Sequence, residues 1–179
     1  MSQNFETGII HSFINTESNN SNEKPPYFAV IVALARLRNG NGPLEIYFIE
    51  TMNDRGDSIV ALPGGKPEKG ESIEDAARRE LNEEIGVQVK QLIPVMFGLG
   101  PDRRKNSVFI MGFLSPEWSG NPYPKDMQET KKGSRFMTLD ELREILPNQQ
   151  ERFMEACFIL AEESFKRNLR RQINSPVAA

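Results

Sequence analysis

Three glutamates of the chain, Glu80, Glu83 and Glu84, have a spacing that could support chemistry. In a helix, residues three and four positions apart share one face, so the three carboxylates would lie side by side. Unpaired anions at that spacing repel one another by roughly a few tenths of a kcal/mol per pair, and a hard divalent cation such as Mg²⁺ would offset the repulsion. Arg78 and Arg79 could offset it as well, so the spacing alone leaves a metal site and a charged helix face both open.

A glycine pair precedes the acidic segment. Pro63, Gly64 and Gly65 lie between a predicted strand and the loop that leads to the glutamates. Glycine permits unusual backbone dihedrals and a close approach of the backbone to a ligand. An ordinary strand-to-loop turn is the alternative, but together with the glutamates the glycines favour a ligand site here.

The segment 65–87 has the sequence GKPEKGESIEDAARRELNEEIGV. It resembles the Nudix box, G-x5-E-x7-R-E-U-x-E-E-x-G-U, in which U is an aliphatic residue. All of its defined positions are filled, by Gly65, Glu71, Arg79, Glu80, Leu81, Glu83, Glu84, Gly86 and Val87. The resemblance implies an α/β protein, a Nudix-type α/β/α sandwich with a mixed β-sheet. It also implies an enzyme that hydrolyses a nucleoside diphosphate linked to another group and uses a divalent metal.

The resemblance implies a role in the site for several individual residues. It implies metal ligation by oxygen atoms from Glu80, Glu83, Glu84 and the Gly65 carbonyl group. It implies an ion pair between Arg79 and Glu71 that orients the carboxylates that bind the metal. The implied cofactor is Mg²⁺, with Mn²⁺ as a substitute, because metal ions neutralise phosphate oxygens, activate water and steady the leaving phosphate.

The general base has two candidate locations. One is a carboxylate of the box, for which we choose Glu83. The other is an acidic residue on the loop after the last strands, as in enzymes that act on ADP-ribose, and here that loop offers Asp126 and Glu129. The alternative for both Asp126 and Glu129 is that each is a solvated charge on the loop without a catalytic role. If Glu129 is the base, Glu129→Gln should lower kcat severely and spare metal affinity.

Residues beyond the box bear on the substrate. Pro101, Arg103 and Arg104 resemble the proline–arginine stretch of small ADP-ribose hydrolases, and a guanidinium binds diphosphate oxygens bidentately. A charged hairpin turn is the alternative. The leading substrate hypothesis is therefore ADP-ribose or a nucleotide sugar.

Aromatic residues could stack on the adenine or the ribose of such a substrate. The candidates are Phe48 on a predicted hairpin and Trp118 and Tyr123 on a long loop. Aromatic side chains are more often part of a core. Three other functions stay open: hydrolysis of a nucleoside triphosphate, oxidised or not, trimming of an RNA 5′ end, and ligand binding by a Nudix fold without turnover.

Composition narrows the class of protein. The 179 residues fit one domain with short extensions, and a net charge of −3 gives no reason to expect strong nucleic-acid binding. The only cysteine, Cys157, and the only histidine, His11, argue against disulfide, cysteine-metal and serine–histidine chemistry. We expect a cytoplasmic protein without membrane contact that binds a small nucleotide, and a homodimer is one expectation for its assembly.

The predicted domain spans residues 27–168. Residues 1–26 are assigned to an N-terminal extension whose first part is either an edge strand or a tail and whose second part is a mobile linker. Residues 169–179 are assigned to a flexible tail. Within the domain we predict strands at 27–38, 44–50, 58–62, 87–98 and 107–114 and helices at 72–85, 138–146 and 148–168.

Caps and apolar spacing define the predicted helices. Ser72 should cap the acidic helix and Gly86 should end it, and a capping box should open at Thr138. The core stripe of the acidic helix should consist of Ile73, Ala76, Ala77 and Leu81. That of the last helix should consist of Phe153, Cys157, Leu160 and Ala161.

Overall fold

The computed structural model describes residues 28–52, 58–101, 107–123, 133–146 and 151–174. The strands are β1 Phe28–Leu37, β2 Leu44–Met52, β3 Ser58–Ala61, β4 Gln88–Val89, β5 Ile93–Pro101, β6 Ser107–Ser115, β7 Trp118–Ser119 and β8 Gly133–Met137. The helices are α1 Ile73–Ile85, α2 Leu139–Ile145 and α3 Glu151–Asn174. None of the helices in these described ranges is long and apolar enough to cross a membrane.

Strand β1 lies at the centre of a six-stranded mixed sheet. One of its edges pairs in parallel with β6, and β5 continues the sheet beyond β6. The other edge pairs antiparallel with β2, but only from Ala35 to Leu37. On its far edge β2 pairs with β8. The first half of β1 is therefore left without β2 as a neighbour.

Residues 58–65 fill the gap where β1 and β2 diverge. Strand β3 pairs with the end of β2, and the chain then turns to run beside β1. There the Val32 N–H donates to the Pro63 carbonyl at 2.9 Å and the Val30 N–H donates to the Gly65 carbonyl at 2.8 Å. These two bonds hold the glycine pair at the edge of β1.

Helices cover both faces of the sheet. Helix α1 buries Ile73, Ala76, Ala77, Leu81 and Ile85 against one face. Helices α2 and α3 cover the opposite face with Leu142, Cys157, Phe158 and Ala161. The predicted α/β/α sandwich with a mixed sheet is confirmed, as is the predicted core stripe of α1.

The caps of the first two helices form as predicted. The Ser72 hydroxyl accepts a hydrogen bond from the Asp75 N–H at 3.1 Å, and Gly86 ends α1 with a left-handed φ of 73°. Thr138 and Glu141 form the capping box of α2. These features depend on residues close in sequence, which is why local patterns found them.

Several predicted elements are wrong in extent. The predicted strand 87–98 is two strands, because β4 leaves the main sheet to pair with β7 inside the predicted loop. Strand β8 was not predicted. Helix α3 is described from Glu151 to Asn174, so the first residues of the predicted tail are helical, and the predicted start of this helix at 148 lies outside the described residues.

The predicted core face of α3 is also partly wrong. Leu160 is 39 % exposed, whereas Phe158 is buried. The face of α3 that packs on the core has Cys157, Phe158 and Ala161 buried and Phe153, Met154 and Phe165 half-buried, so the predictions for Phe153, Cys157 and Ala161 are confirmed and Leu160 falls on the flank.

A charged network joins β1, β2 and α2. The Glu45 side chain is buried, and it accepts hydrogen bonds from Arg36 Nε at 3.0 Å and from Arg38 Nε at 2.6 Å. Arg38 Nη2 also donates to both carboxylate oxygens of Glu141, at 2.8 and 2.6 Å. The Glu141 carboxylate in turn accepts the Thr138 N–H of the capping box at 2.8 Å. One arginine thus links the hairpin to the start of α2.

This network predicts an acid-sensitive part of the stability. The Thr138 N–H and the Arg38 guanidinium stabilise the ionised Glu141 and lower its pKa from 4.5 to about 2. A depressed pKa contributes stability that is complete above the unfolded value and is lost as the pH falls through the folded value. Between pH 4.5 and pH 2 the free energy of unfolding should therefore fall less in Glu141→Gln than in the unmodified protein. Urea unfolding at a series of pH values in that range measures this, and identical pH dependence of the two proteins would contradict it.

Candidate active site

Helix α1 directs its glutamates towards the glycine pair. Its buried stripe faces the sheet, and Glu80, Glu83 and Glu84 lie beside that stripe in the last two turns. The Glu80 side chain is only 14 % exposed, whereas that of Glu83 is 58 % exposed. The three carboxylates therefore share one side of the helix but differ in their access to solvent.

Arg79 connects the loop before α1 with two of these glutamates. Its Nε and Nη2 atoms donate to the two Glu71 carboxylate oxygens at 2.9 and 3.0 Å, so the predicted Arg79–Glu71 pair is present. Its Nη1 atom donates to Glu80 at 2.8 Å and to Glu83 at 3.0 Å. Nη2 donates to the Lys66 carbonyl at 3.0 Å as well. A single guanidinium thus fixes the loop and orients two carboxylates.

The Arg79–Glu71 pair stays charged at neutral pH. Hydrogen bonding to Arg79, and then to the Glu68 N–H at 2.8 Å, lowers the pKa of Glu71. The same contact with Glu71 raises the pKa of Arg79 well above its usual range. Neither group can exchange a proton near neutral pH, so the pair suits positioning rather than acid–base catalysis.

The glycine pair contacts the helix from the other side. The Gly64 N–H donates to the Glu84 carboxylate at 2.8 Å. A Cβ atom at Gly64, where φ is 153°, would overlap the Val30 carbonyl oxygen, and a Cβ atom at Gly65 would overlap the Glu80 carboxylate. Both positions therefore need glycine for close approach, one to the strand and the other to a glutamate.

The donor groups of this site suit a hard cation in their chemistry. Carboxylate and carbonyl oxygens are the ligands that Mg²⁺ takes, and a carbonyl has two lone pairs, so the Gly65 oxygen keeps one beyond its bond to Val30. Within the described ranges, no three Asp, Glu, His or Cys side chains converge as a metal centre. The contacts explain this, because Glu80 and Glu83 bond to Arg79 while Glu84 bonds to Gly64.

One predicted substrate contact is wrong. Phe48 is fully buried in the core between the sheet and helices α2 and α3, so its ring has no surface for a nucleotide. Side chains alternate along a strand, and at this position of β2 the ring points away from α1. Tyr47, the preceding residue, packs on the α1 face instead.

The other aromatic candidates lie near the end of α1. Trp118, on β7, is half-buried and stacks on Phe136 of β8, with ring centroids 5.7 Å apart. Tyr123 is 58 % exposed, and its N–H donates to the carbonyl of Ile85, the last residue of α1, at 3.0 Å.

Five further predicted residues come from the segments that follow the box. Pro101 is the last residue of β5 and pairs with Ser107. Arg103, Arg104, Asp126 and Glu129 lie outside the described residues.

Two contacts of the site were not anticipated from the sequence. Glu84 bonds the main chain of Gly64, and Val30 of β1 holds the carbonyl of Gly65. Neither has a local signal, because each joins segments that only the folded sheet brings together.

Comparison with known proteins identifies the family. Residues 28–157 match the family profile of the NUDIX domain. The chain is similar to the 8-oxo-dGTP diphosphatase of Escherichia coli K12, with 33 % identity over 100 residues that cover 54 % of this chain and 74 % of that enzyme. It is also similar to a protein of Acetivibrio thermocellus described as competence-damage inducible, with 25 % identity over 86 % of this chain. The match spans only 37 % of that longer relative.

Solved structures share the fold. A MutT NUDIX hydrolase of Burkholderia pseudomallei matches with a TM-score of 0.59 and 22 % identity, over 78 % of this chain and 98 % of that one. The NUDIX domain of Shewanella oneidensis NrtR, solved with ADP ribose, matches with a TM-score of 0.61 and 15 % identity, over 81 % and 90 %. The profile match, the 8-oxo-dGTP diphosphatase relative and the arrangement of the glutamate helix agree, and the chain belongs to the Nudix hydrolase family.

Proposed function

We propose that this chain hydrolyses a pyrophosphate bond in a nucleotide and depends on a divalent metal, Mg²⁺ or Mn²⁺. The observation that carries the proposal is the contact of α1 with the glycine pair, in which Arg79 and Gly64 together orient Glu80, Glu83 and Glu84. The reaction adds water across a P–O–P linkage, so one phosphate takes the hydroxyl oxygen and the other leaves with the bridging oxygen. Positioning and electrostatics are the main tasks of a protein in such a transfer.

Each residue of the site has a proposed task. Glu80, Glu83 and Glu84, with the Gly65 carbonyl, hold the metal, which would supply charge neutralisation on the phosphate oxygens and a more acidic water. Arg79, held by Glu71, keeps two of the carboxylates in place. Glu83 is the proposed base, because it is the most solvent-exposed of the carboxylates bonded to Arg79. Glu129, which lies outside the described residues, is the alternative base.

Two substrate classes fit the proposal. ADP-ribose or a nucleotide sugar is favoured by the sequence Pro101-Asp102-Arg103-Arg104, since arginines suit a diphosphate. A nucleoside triphosphate, including an oxidised one, is favoured by the relatives named 8-oxo-dGTP diphosphatase, with which this chain shares 33 % identity. The products differ, because ADP-ribose would yield AMP and ribose phosphate, and a triphosphate would yield a monophosphate and pyrophosphate.

A panel of substrates tests the function. The purified chain is incubated with Mg²⁺ and ADP-ribose, nucleotide sugars, diadenosine polyphosphates, ordinary and oxidised triphosphates or 5′-triphosphate RNA, and products are resolved by phosphorus NMR. Metal-dependent release of either product set supports the proposal and selects the substrate class. Absence of turnover with every substrate, with Mg²⁺ binding intact, would overturn it in favour of a binding module.

Loss of the Glu71 charge should lower the affinity of the site for Mg²⁺ without unfolding the protein. Glu71→Gln removes the negative partner of Arg79, so the guanidinium no longer holds the carboxylates firmly. Removing a group that orients metal ligands typically costs about 10–100-fold in metal affinity or activity. We expect a rise of that size in the Mg²⁺ concentration for half-maximal rate. Glu68→Gln is the control, because Glu68 contributes its backbone N–H to the network. Unchanged Mg²⁺ dependence in Glu71→Gln would contradict the prediction.

A further inference from the structure

Strand β5 forms one edge of the main sheet, on the far side of β6 from β1. Within the described ranges β5 pairs only with β6, so its backbone N–H and C=O groups that point away from β6 have no strand partner in those ranges. A free strand edge of this kind is a template on which another extended segment can pair. The outer edge of β5 is therefore a candidate interaction surface.

The sequence of β5 gives this edge little protection. Edge strands of natural sheets are protected by charged side chains, prolines or bulges, and the sequence IPVMFGLGP contains no charged residue. Pro94 and the register shift between Pro94 and Met96 interrupt the edge near its beginning, and Pro101 ends it. The stretch from Phe97 to Gly100 has neither device, so it is the part of the edge most open to pairing.

The chain carries a strand candidate besides β1–β8, and it lies outside the described residues. The sequence of residues 8–14 is Gly-Ile-Ile-His-Ser-Phe-Ile, in which isoleucine and phenylalanine favour an extended strand. A polar connection, residues 15–27, follows this segment and ends where β1 begins. The segment is uncharged apart from its histidine, as an added strand beside the uncharged β5 requires.

The start of β1 brings this segment within reach of β5. Phe28, the first residue of β1, pairs with Phe109 of β6, and Phe109 pairs with Leu99 of β5. Neighbouring strands lie about 4.8 Å apart, so the strand position beyond β5 is about 14 Å from the start of β1. The connection 15–27 can span about 43 Å when fully extended and about 20 Å on average as a flexible coil. Its length therefore matches the distance that it has to cover.

We propose that residues 8–14 add a strand to the outer edge of β5 and extend the main sheet. The pairing is within one chain, because a segment tethered by a short connection has a local concentration of the order of mM at the edge. Main-chain hydrogen bonds supply the affinity, as in other cases of strand addition. The added strand also prevents the free edges of two copies of the chain from pairing with each other.

Hydrogen exchange of the full chain tests the added strand. Mass spectrometry with fragmentation that resolves single amides follows exchange along β5. Amides that point towards β6 are protected with or without the added strand, whereas amides that point outwards are protected only if another strand accepts their hydrogen bonds. We expect both sets to be protected between Phe97 and Gly100, to the same degree at low and at high protein concentration.

Proline substitutions identify the pairing segment. Proline has no N–H group to donate, and the N–H groups of adjacent strand residues point to opposite sides, so that of either Ile9 or Ile10 faces β5. At least one of Ile9→Pro and Ile10→Pro should therefore make the outward amides of β5 exchange about 10-fold faster or more, as the loss of a backbone hydrogen bond predicts. Ser21→Pro, in the connection, is the matched control and should leave exchange unchanged.

The outcomes separate this proposal from the other possible occupants of the edge. Rapid exchange of the outward amides in the unmodified protein would overturn it, and so would unchanged exchange in both Ile9→Pro and Ile10→Pro. Protection that increases with protein concentration would also overturn it and would assign the edge to a second copy of the chain. Faster exchange confined to the outward amides, with a near-normal urea midpoint and an unaffected Ser21→Pro control, supports the added strand and excludes general unfolding.

Discussion

Replacing Glu83 with glutamine is expected to lower kcat by about 10²–10⁴-fold, the range that a positioned general base contributes. The substitution keeps the size of the side chain and one acceptor oxygen for Arg79, but it removes the capacity of the side chain to take a proton. Glu83→Gln should fold normally, because the side chain is 58 % exposed and its one described contact is with Arg79 Nη1 at 3.0 Å. Steady-state kinetics with the best substrate of the panel measure the effect.

The contacts single out Glu83 among the three glutamates. Glu84 is bonded to the main chain of Gly64, and Glu80 is packed against Gly65. Both carboxylates are held against the main chain, whereas Glu83, which is also a proposed metal ligand, is the most accessible of the three to a substrate and to water. A residue that moves a proton needs that access, and so we place the base at Glu83 rather than at its neighbours.

A matched variant on the same helix controls for charge. Glu74 lies exposed in the first turn of α1, away from the glycine pair, so Glu74→Gln removes the same charge without touching the site. Its kcat should equal that of the unmodified protein. A Glu83→Gln enzyme with full kcat would exclude Glu83 and move the search to Glu129. Loss of nucleotide binding by Glu83→Gln with no change in turnover number would also contradict the assignment.

Much of the fold could be predicted because its signals are local. The boundaries of α1 follow from Ser72, the apolar stripe and Gly86, all within one short segment. The Arg79–Glu71 pair, eight positions apart, follows from the resemblance to the Nudix box, and the structure contains it. Such local patterns predict the geometry of a helix, because the helical repeat fixes the positions of the cap and of the apolar stripe.

The contacts that a strand makes with distant segments could not be predicted in the same way. Strand β8 has little local signal, because Gly133, Ser134 and Arg135 are not typical strand residues, and it forms by pairing with β2. The prediction for Phe48 failed for a related reason. Alternation shows that neighbouring strand residues face opposite ways, but not which face of the sheet meets α1.

A second large effect is expected at the glycine pair, where two alanine substitutions should act differently. At Gly64 the added Cβ would overlap the Val30 carbonyl oxygen and lie 2.9 Å from the Ile31 Cα, and the φ of 153° strains any residue with a side chain. Both obstacles are backbone features that cannot move aside. Gly64→Ala should therefore reduce the free energy of unfolding by about 3 kcal/mol or more. Urea unfolding measures this loss.

Gly65→Ala should instead impair the reaction and leave the stability nearly unchanged. Its added Cβ would overlap the Glu80 carboxylate, which is the mobile end of a side chain and can shift, and its φ lies outside the left-handed region. A displacement of about 1 Å in a catalytic group can cost about 10²-fold in rate, so we expect a kcat loss of that order with a near-normal urea midpoint. Gly98→Ala is the control for both variants, because its Cβ would meet open space.

The contrast between adjacent glycines tests whether the α1 carboxylates depend on the backbone beside β1. If Gly65→Ala keeps full kcat while Gly64→Ala is destabilised, the glycine pair serves only the packing of the loop on Val30. If Gly65→Ala loses activity and keeps its stability, the close approach of Glu80 to the backbone belongs to the reaction. The second outcome is expected, because Arg79 holds the Glu80 carboxylate against Gly65 through a 2.8 Å hydrogen bond, and a carboxylate held on both sides has no equivalent position to adopt.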